Sequence, residues 1–215
     1  MTTTLADISS DIADDLDDTT DVYGAAILKA VQAAQRYCER HKFYFNETRS
    51  ETFPTVDGQE WYSSADNAEI PGAVNISALY SEDAQGQRTT LRHVRPQEIE
   101  TLSDNSAASG EPYMWTYYNQ QIRLYPIPGA TVYTIRMDLS NYRLDPLASS
   151  TDTNAWLDEA YDMMKARAKY IIYKNTIKDA PLAEEALNDF MDQRSELFAE
   201  TSKRHSTGCI EATNF

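Results

Sequence analysis

The stretch YTIRMDLS, at residues 133–140, decides the fold class of this chain. Its odd-numbered residues are apolar or aromatic and its even-numbered residues are polar. Because successive side chains of a β-strand point to opposite faces, this period of two predicts a strand with one buried face. The same alternation occurs at residues 74–81, and a shorter run at residues 122–125 ends where Pro126 and Pro128 follow. The centre of the chain is therefore predicted to form β-strands.

On both sides of these strands the apolar spacing changes to the three-and-four pattern of amphipathic helices. The predicted helices span residues 5–16, 21–41, 154–176 and 181–202. A shorter helix is predicted at residues 96–102. The sequence thus predicts an α+β protein, a helical bundle of about four helices with an inserted antiparallel β module.

The change of period also predicts the domain limits. Residues 1–42 and 151–204 form the predicted helical core, residues 43–150 form the inserted β-rich module, and residues 205–215 form a C-terminal tail. The tail has no sustained periodicity, so we expect it to be disordered or to become ordered only on binding.

The charge of the chain limits its partners. The 215 residues have a formal net charge of −15 at pH 7. A chain this acidic does not bind nucleic acid through a general basic surface, and anionic membranes repel it. No apolar run approaches the roughly 18 residues that a membrane span needs. Cys38 and Cys209 do not indicate a disulfide framework, so we expect a protein made in a reducing cytoplasm.

The common motifs of catalysis and cofactor binding do not occur in the sequence. There is no HExxH or CxxC metal-binding spacing, no GxGxxG or P-loop, and no GxSxG nucleophile elbow. We therefore expect no enzymatic activity, no cofactor and no metal ion. An enzyme acting on cell-wall glycan stays an alternative, because pairs of acids such as Glu98 and Glu100 occur and sequence alone cannot place them.

An acidic run follows the first predicted helix and includes Asp14, Asp15, Asp17 and Asp18. One interpretation is a solvated helix end whose acids favour the N-terminus of the next helix. The other is an acidic patch that faces a basic partner or a DNA channel. The basic residues within 154–176 could pair with this run inside the protein. Both interpretations stay open.

The β-rich segment is dense in aromatic residues, and the whole chain has fourteen Tyr against six Phe. Tyr combines an apolar ring with a polar tip, which suits a surface that becomes buried against a partner. Strands also favour Tyr for packing reasons, so the two explanations stay open. The candidate interaction residues here are Trp61, Tyr62, Trp115, Tyr117 and Tyr125.

Several short passages point to a known family. They are FYFNE (43–47), TFPTVDGQEWY (52–62), GEP (110–112), IRLYPIP (122–128), YTI (133–135) and NAW (154–156). Together they resemble recurrent passages in the head-to-tail adaptor, or connector, proteins of short-tailed bacteriophages. The similarity is spread over residues 20–175. It therefore covers neither the acidic N-terminal helix nor the C-terminal tail.

The resemblance implies a structural virion protein that forms a ring, typically of about twelve copies, between the portal protein and the tail nozzle protein. The virion would be assembled in the host cytoplasm. DNA would pass through the ring, and an acidic lumen would repel its phosphates so that it does not bind tightly. The C-terminal segment of related adaptors tends to dock into the portal, which makes His205 and Phe215 candidate interaction residues. The alternative is a monomeric glycan- or protein-binding module with an aromatic β surface.

Overall fold

The computed structural model describes residues 2–103 and 108–205. The described residues up to Asn46 and from Leu144 onward form one compact unit, here called the helical unit. Glu47–Arg143 form a second compact unit, here called the sheet unit. The domain limits predicted from the sequence, 1–42 with 151–204 and 43–150, stay a prediction.

Helices and strands both occur, so the predicted α+β class is confirmed. The described ranges contain six α-helices: α1 (Leu5–Asp15), α2 (Gly24–Cys38), α3 (Pro96–Ser103), α4 (Ala155–Glu159), α5 (Tyr161–Ile172) and α6 (Ala180–His205). They contain nine strands: β1 (Thr52–Pro54), β2 (Trp61–Tyr62), β3 (Ala73–Glu82), β4 (Arg88–His93), β5 (Ser109–Gly110), β6 (Met114–Tyr118), β7 (Gln121–Tyr125), β8 (Ile127–Pro128) and β9 (Thr134–Tyr142). None of these helices is long and apolar enough to cross a membrane.

The first helix shows how sequence fixes local structure in the helical unit. A capping box starts α1, because Thr4 Oγ1 accepts from the Asp7 amide at 3.3 Å and Asp7 Oδ2 accepts from the Thr4 amide at 2.8 Å. Leu5, Ile8 and Ile12 then follow at the helical spacing and are buried. Capping and periodicity therefore agree on both the start and the inner face of this helix.

Aromatic rings form the centre of the helical unit. Trp156 of α4 packs edge-to-face against Phe43 and Phe45, with ring centroids 5.8 and 4.9 Å apart. Phe43 also stacks on Phe198 of α6 at 4.8 Å. Phe190 of the same helix is fully buried beside these rings. The FYF passage after α2 thus belongs to the core of the helical unit.

The prediction of one continuous helix over residues 154–176 is wrong. Asn154 caps α4 through a bond from the Trp156 amide, 3.0 Å long, and the chain leaves helical geometry at Ala160 before α5 starts. After α5 the chain forms a π-helical turn, Tyr173–Ile177, that ends at Lys178 in the left-handed conformation. The apolar spacing continues through the break at Ala160, which is why periodicity alone does not reveal it.

The sheet unit is a seven-stranded sheet in the order β1-β9-β3-β4-β6-β7-β2, with β5 and β8 paired separately. The predicted alternation at residues 133–140 is confirmed, because Ile135, Met137 and Leu139 are fully buried in the core of the sheet unit. These residues pack with Leu79 of β3 and Leu124 of β7. One face of the sheet therefore forms the main core of the sheet unit, and Met114 and Tyr125 form a smaller apolar cluster with Val94 and Ile99.

The sheet curls so that its two outermost strands approach each other. The rings of Phe53 on β1 and Tyr62 on β2 lie 4.8 Å apart. The Tyr62 hydroxyl accepts from the Val56 amide and donates to the Gln59 carbonyl, both at 3.1 Å. The loop between β1 and β2 is thereby hydrogen-bonded to the Tyr62 side chain, whose ring packs in the core of the sheet unit.

The inserted module is mixed rather than wholly antiparallel, which corrects the prediction. Strand β4 pairs in parallel with β6, with Arg92 opposite Met114 and His93 opposite Trp115. Strands β5 and β8 are also parallel. The reason is the connection from β4 to β6, which contains α3 and returns the chain in its original direction, as a parallel pair requires.

Candidate interaction surfaces

The acidic run after α1 is partly used inside the helical unit. Asp15 Oδ2 lies 3.0 Å from the Nζ atoms of both Lys165 and Lys169 on α5. Partial burial raises the pKa of Asp15, but the hydrogen bonds and charges of the two lysines outweigh it, so the pKa lies below its ordinary value. The predicted pairing of the acidic run with the basic stretch is confirmed for this residue.

Asp18 acts on the start of the next helix. Its carboxylate accepts from the Tyr23 amide at 2.7 Å and from the Val22 amide at 2.9 Å. The Tyr23 bond is the main reason why the pKa of Asp18 lies below its ordinary value. Tyr23 is the N-cap of α2 and its own side chain makes no capping bond. Asp18 therefore satisfies backbone donors that would otherwise be free at this helix end.

Asp14 and Asp17 differ from these two acids. Both are exposed, and within residues 2–103 and 108–205 neither carboxylate has a hydrogen bond or an ion pair. The four acids that the sequence singled out thus separate into two that stabilise the helical unit and two whose carboxylates face solvent.

The five candidate aromatic residues of the sheet unit do not form one surface. Tyr62, Trp115 and Tyr125 are buried, and Trp115 packs on the His93 ring at 4.4 Å. Trp61 is half-buried, with the Arg123 guanidinium 5.1 Å from its ring centroid. Tyr117 is half-buried and donates to the Ile70 carbonyl at 2.9 Å. Their role in contacts with other chains stays a prediction.

The end of α6 is held against the loop after α2. The Arg204 guanidinium lies 3.6 Å from the centre of the Tyr44 ring, and its Nη2 lies 2.6 Å from Glu200 Oε1. His205 is exposed, and its Nδ1 lies 2.7 Å from the Thr201 carbonyl. Phe215 and the rest of the predicted tail lie outside the described residues.

Three arginines gather on the outer face of the sheet. Arg49, Arg88 and Arg136 line a cavity of about 220 Å³ together with Tyr80 and Asp138. We call Arg49, Arg88 and Arg136 the arginine cluster. Arg136 on β9 is directly opposite Tyr80 on β3, and the alternation that buries its neighbours turns it outward.

The arginine cluster is only partly neutralised by its neighbours. Glu82 Oε2 lies 2.8 Å from Arg88 Nε and 3.6 Å from Arg136 Nη2. Asp138 Oδ1 lies 3.5 Å from Arg49 Nε. The Arg88 hydrogen bond is the main cause of a pKa below the ordinary value at Glu82. Arg136 Nε is buried and has no hydrogen-bond partner among the described residues. Three cations here face two carboxylates.

A row of acids covers one side of α6. Glu185, Asp189, Asp192 and Glu196 follow each other at intervals of four, three and four residues, which places them on one helical face. We call them the acidic stripe. All four are exposed, and none has an ion pair with another described residue. Each adjacent pair of like charges destabilises a helix by about 0.2–0.5 kcal/mol.

The acidic stripe continues into a groove of the helical unit. Asp189, Asp192 and Glu196 line a cavity of about 460 Å³ with Asp162 and with the Asp15–Lys165–Lys169 group. The two lysines are already paired to Asp15, so the groove keeps a negative excess. Within the described ranges, no group of three or more His, Cys, Asp or Glu is arranged to hold a metal ion.

Sequence reasoning missed both the arginine cluster and the acidic stripe. The arginines of the cluster come from β4, from β9 and from the segment before β1, and no local sequence pattern predicts that they lie together. The stripe does have a sequence signal, since its spacing of four, three and four can be counted directly. It was hidden because acids are common throughout the chain.

An α+β protein with two oppositely charged surfaces is suited to bind other macromolecules, and the comparison with known families agrees. Residues 3–209 match the model of the SU10 adaptor protein, and the chain belongs to that family. The family is one of phage structural adaptors rather than enzymes, and membership implies a place in the virion. No curated protein gives a significant match to the chain.

Proposed function

We propose that this adaptor forms a ring, of about twelve copies, that joins the portal protein to the tail nozzle protein and extends the DNA channel. The observation that carries the proposal is the family match over residues 3–209. The passages of the sequence that resemble adaptors of short-tailed phages support the same assignment. A ring needs two different contact surfaces on each subunit, and the chain offers surfaces of opposite charge.

The acidic run after α1 is our candidate for the lining of the channel. Carboxylates repel DNA phosphates, so a lumen lined with them lets DNA pass without a tight complex. Of Asp14, Asp15, Asp17 and Asp18, only Asp14 and Asp17 keep carboxylates without a partner in the described part of the chain. We therefore assign the lining to Asp14 and Asp17, with Asp15 and Asp18 holding the segment in place.

The channel assignment is tested by charge reversal in assembled virions. Changing Asp14 and Asp17 together to Lys should slow DNA ejection while leaving the fold intact, because neither carboxylate has a hydrogen bond or an ion pair among the described residues. The matched control is Asp145→Lys, which reverses an exposed acid elsewhere in the helical unit whose carboxylate also has no hydrogen bond or ion pair among the described residues. Ejection at the wild-type rate by the double variant would remove both residues from the channel.

The C-terminal segment is our candidate for docking into the portal. α6 ends at His205, so residues 206–215, including Phe215, are the part to remove without disturbing the Arg204–Tyr44 contact. The aromatic residues Trp61 and Tyr117 are proposed to lie at contacts between chains, with Tyr62, Trp115 and Tyr125 supporting them from the core.

Co-sedimentation with the portal protein from the same phage genome tests the proposal. The full chain should form a complex with about one copy per portal subunit, while a chain ending at His205 should stay folded and lose the complex. Circular dichroism of the shortened chain is the control for folding. No binding by the full chain would contradict the adaptor ring, and unchanged binding by the shortened chain would contradict docking by the tail.

A further inference from the structure

We propose that the arginine cluster of one copy binds the acidic stripe of α6 on a second copy. This inference rests on the proposed function in one respect, since a ring requires copies of the chain to contact each other. The two surfaces are Arg49, Arg88 and Arg136 of the sheet unit, and Glu185, Asp189, Asp192 and Glu196 of the helical unit.

The arginine cluster needs a further anion. Its three guanidinium groups share only Glu82 and Asp138, and the buried Nε of Arg136 forms no hydrogen bond with any described residue. A guanidinium presents several donors in a fixed plane that matches the two oxygens of a carboxylate. The cavity of about 220 Å³ between the arginines leaves space for such a side chain.

The acidic stripe needs a cation. Its four carboxylates repel each other along one helical face, and no basic side chain of the described residues pairs with them. The two lysines that line the same groove, Lys165 and Lys169, are paired with Asp15. A second copy of this chain supplies the arginine cluster, whose positive charge is only partly neutralised by its own carboxylates.

The spacing of the charges agrees on the two surfaces. Arg88 Nε and Arg136 Nη2 lie 2.8 and 3.6 Å from the same Glu82 oxygen, so these two nitrogens are at most about 6.4 Å apart. Asp189 and Asp192 are three residues apart on α6, and side chains at that spacing have Cβ atoms about 5–6 Å apart. Two neighbouring carboxylates of the stripe can therefore face these two guanidinium groups.

In the ring proposed above the contact is heterologous, because each copy presents its arginine cluster to one neighbour and its acidic stripe to the other. Repeating such a contact with a constant rotation produces a closed ring or an open filament. Opposite charges also set the register of neighbouring copies, because a shifted contact would place like charges together.

Charge reversal with mixing tests the contact. The first variant combines Arg49→Glu and Arg88→Glu, which are the two more exposed members, at 73% and 54% side-chain exposure. The second combines Asp189→Lys and Asp192→Lys. Self-association of the purified full chain is followed by sedimentation velocity, without portal protein and at low ionic strength. The first variant leaves Arg136 in place, so that the core beneath β9 is not disturbed.

The expected results differ between each variant alone and an equimolar mixture of the two variants. The wild type should associate with increasing concentration and dissociate as salt is added, because exposed charges are screened within about 10 Å at 0.1 M salt. Each variant alone should associate at least about tenfold more weakly. An equimolar mixture should recover association, because each variant then offers a surface of opposite sign to the other.

Three results would overturn the inference. The first is a wild-type chain that stays monomeric at every concentration. The second is association of either variant at the wild-type level. The third is a mixture that does not recover association, because the proposed contact requires the reversed surfaces of the two variants to bind each other. None of these results depends on portal binding, so failure of the proposed function would be seen separately in the co-sedimentation experiment.

Discussion

At the scale of single residues, the acids after α1 show that neighbouring carboxylates of the same sequence pattern do different work. Asp15 pairs with two lysines, Asp18 accepts from two backbone amides, and Asp14 and Asp17 face solvent. The sequence predicted an acidic run and indicated the partner helix of Asp15. It could not distinguish these three roles, because each depends on the direction of the side chains.

Asp15→Asn should lower the free energy of unfolding by about 0.2–1 kcal/mol at pH 7, the range measured for exposed ion pairs. The folded pKa of Asp15 lies below its ordinary value, so its contribution is present above about pH 4 and is lost as the pH falls through the folded pKa. Urea unfolding of both proteins between neutral and acid pH measures the difference. The two curves should converge at low pH.

Asp14→Asn is the control for that experiment, since Asp14 has no partner in the described part of the helical unit. It should leave the free energy of unfolding unchanged across the same pH range. A loss equal to that of Asp15→Asn would mean that net charge, and not the contact with Lys165 and Lys169, explains the effect.

At the scale of elements, Tyr62 joins the two outermost strands of the sheet. Tyr62→Phe keeps the ring contact with Phe53 but leaves the Val56 amide without its acceptor. We expect the free energy of unfolding of the sheet unit to fall by about 1–2 kcal/mol, because the two hydrogen bonds of the Tyr62 hydroxyl are lost. Chemical denaturation measures it, with Tyr118→Phe, at the exposed end of β6, as the matched control.

The acidic stripe gives a prediction of opposite sign. Changing Asp189 and Asp192 to Asn removes like-charge repulsion on α6 and should raise the free energy of unfolding by a few tenths of a kcal/mol. Thermal unfolding of the isolated chain measures this gain. The same variant should associate more weakly with other copies, so a helix that is more stable and equally able to assemble would contradict the role given to the stripe.

Elements that depend on local pattern were predictable. The strand around residues 133–140, the short helix α3 and the first helix all follow from period and turn residues. A strand also forms around residues 74–81, but its alternation did not indicate the buried residues, because register shifts interrupt the pairing and leave Leu79 buried and Val74 exposed. The break at Ala160 and the parallel pairing of β4 with β6 were not predictable, because an uninterrupted apolar stripe and a long connection are each compatible with two structures. The arginine cluster could not be predicted from local pattern either, because its three arginines come from separate segments that become neighbours only in the folded sheet.

At the scale of the whole molecule, the chain contains two compact units with separate apolar cores. We expect thermal unfolding to depart from a single two-state transition, with a calorimetric enthalpy larger than the van't Hoff enthalpy. Tyr62→Phe should shift the transition of the sheet unit, and Phe190→Ala that of the helical unit. One transition with equal enthalpies, moved alike by both variants, would contradict this.

The helical unit is assembled from two parts of the chain that are separated by the whole sheet unit. During translation, α1 and α2 leave the ribosome before the helices that cover their apolar faces have been made. The sheet unit is contiguous in sequence, so all its residues have been synthesised before α4. At that point about half of the core residues of the helical unit have not yet been synthesised. A nascent chain that stops early therefore yields a complete sheet unit but no helical unit, and only full-length synthesis completes both surfaces of the adaptor.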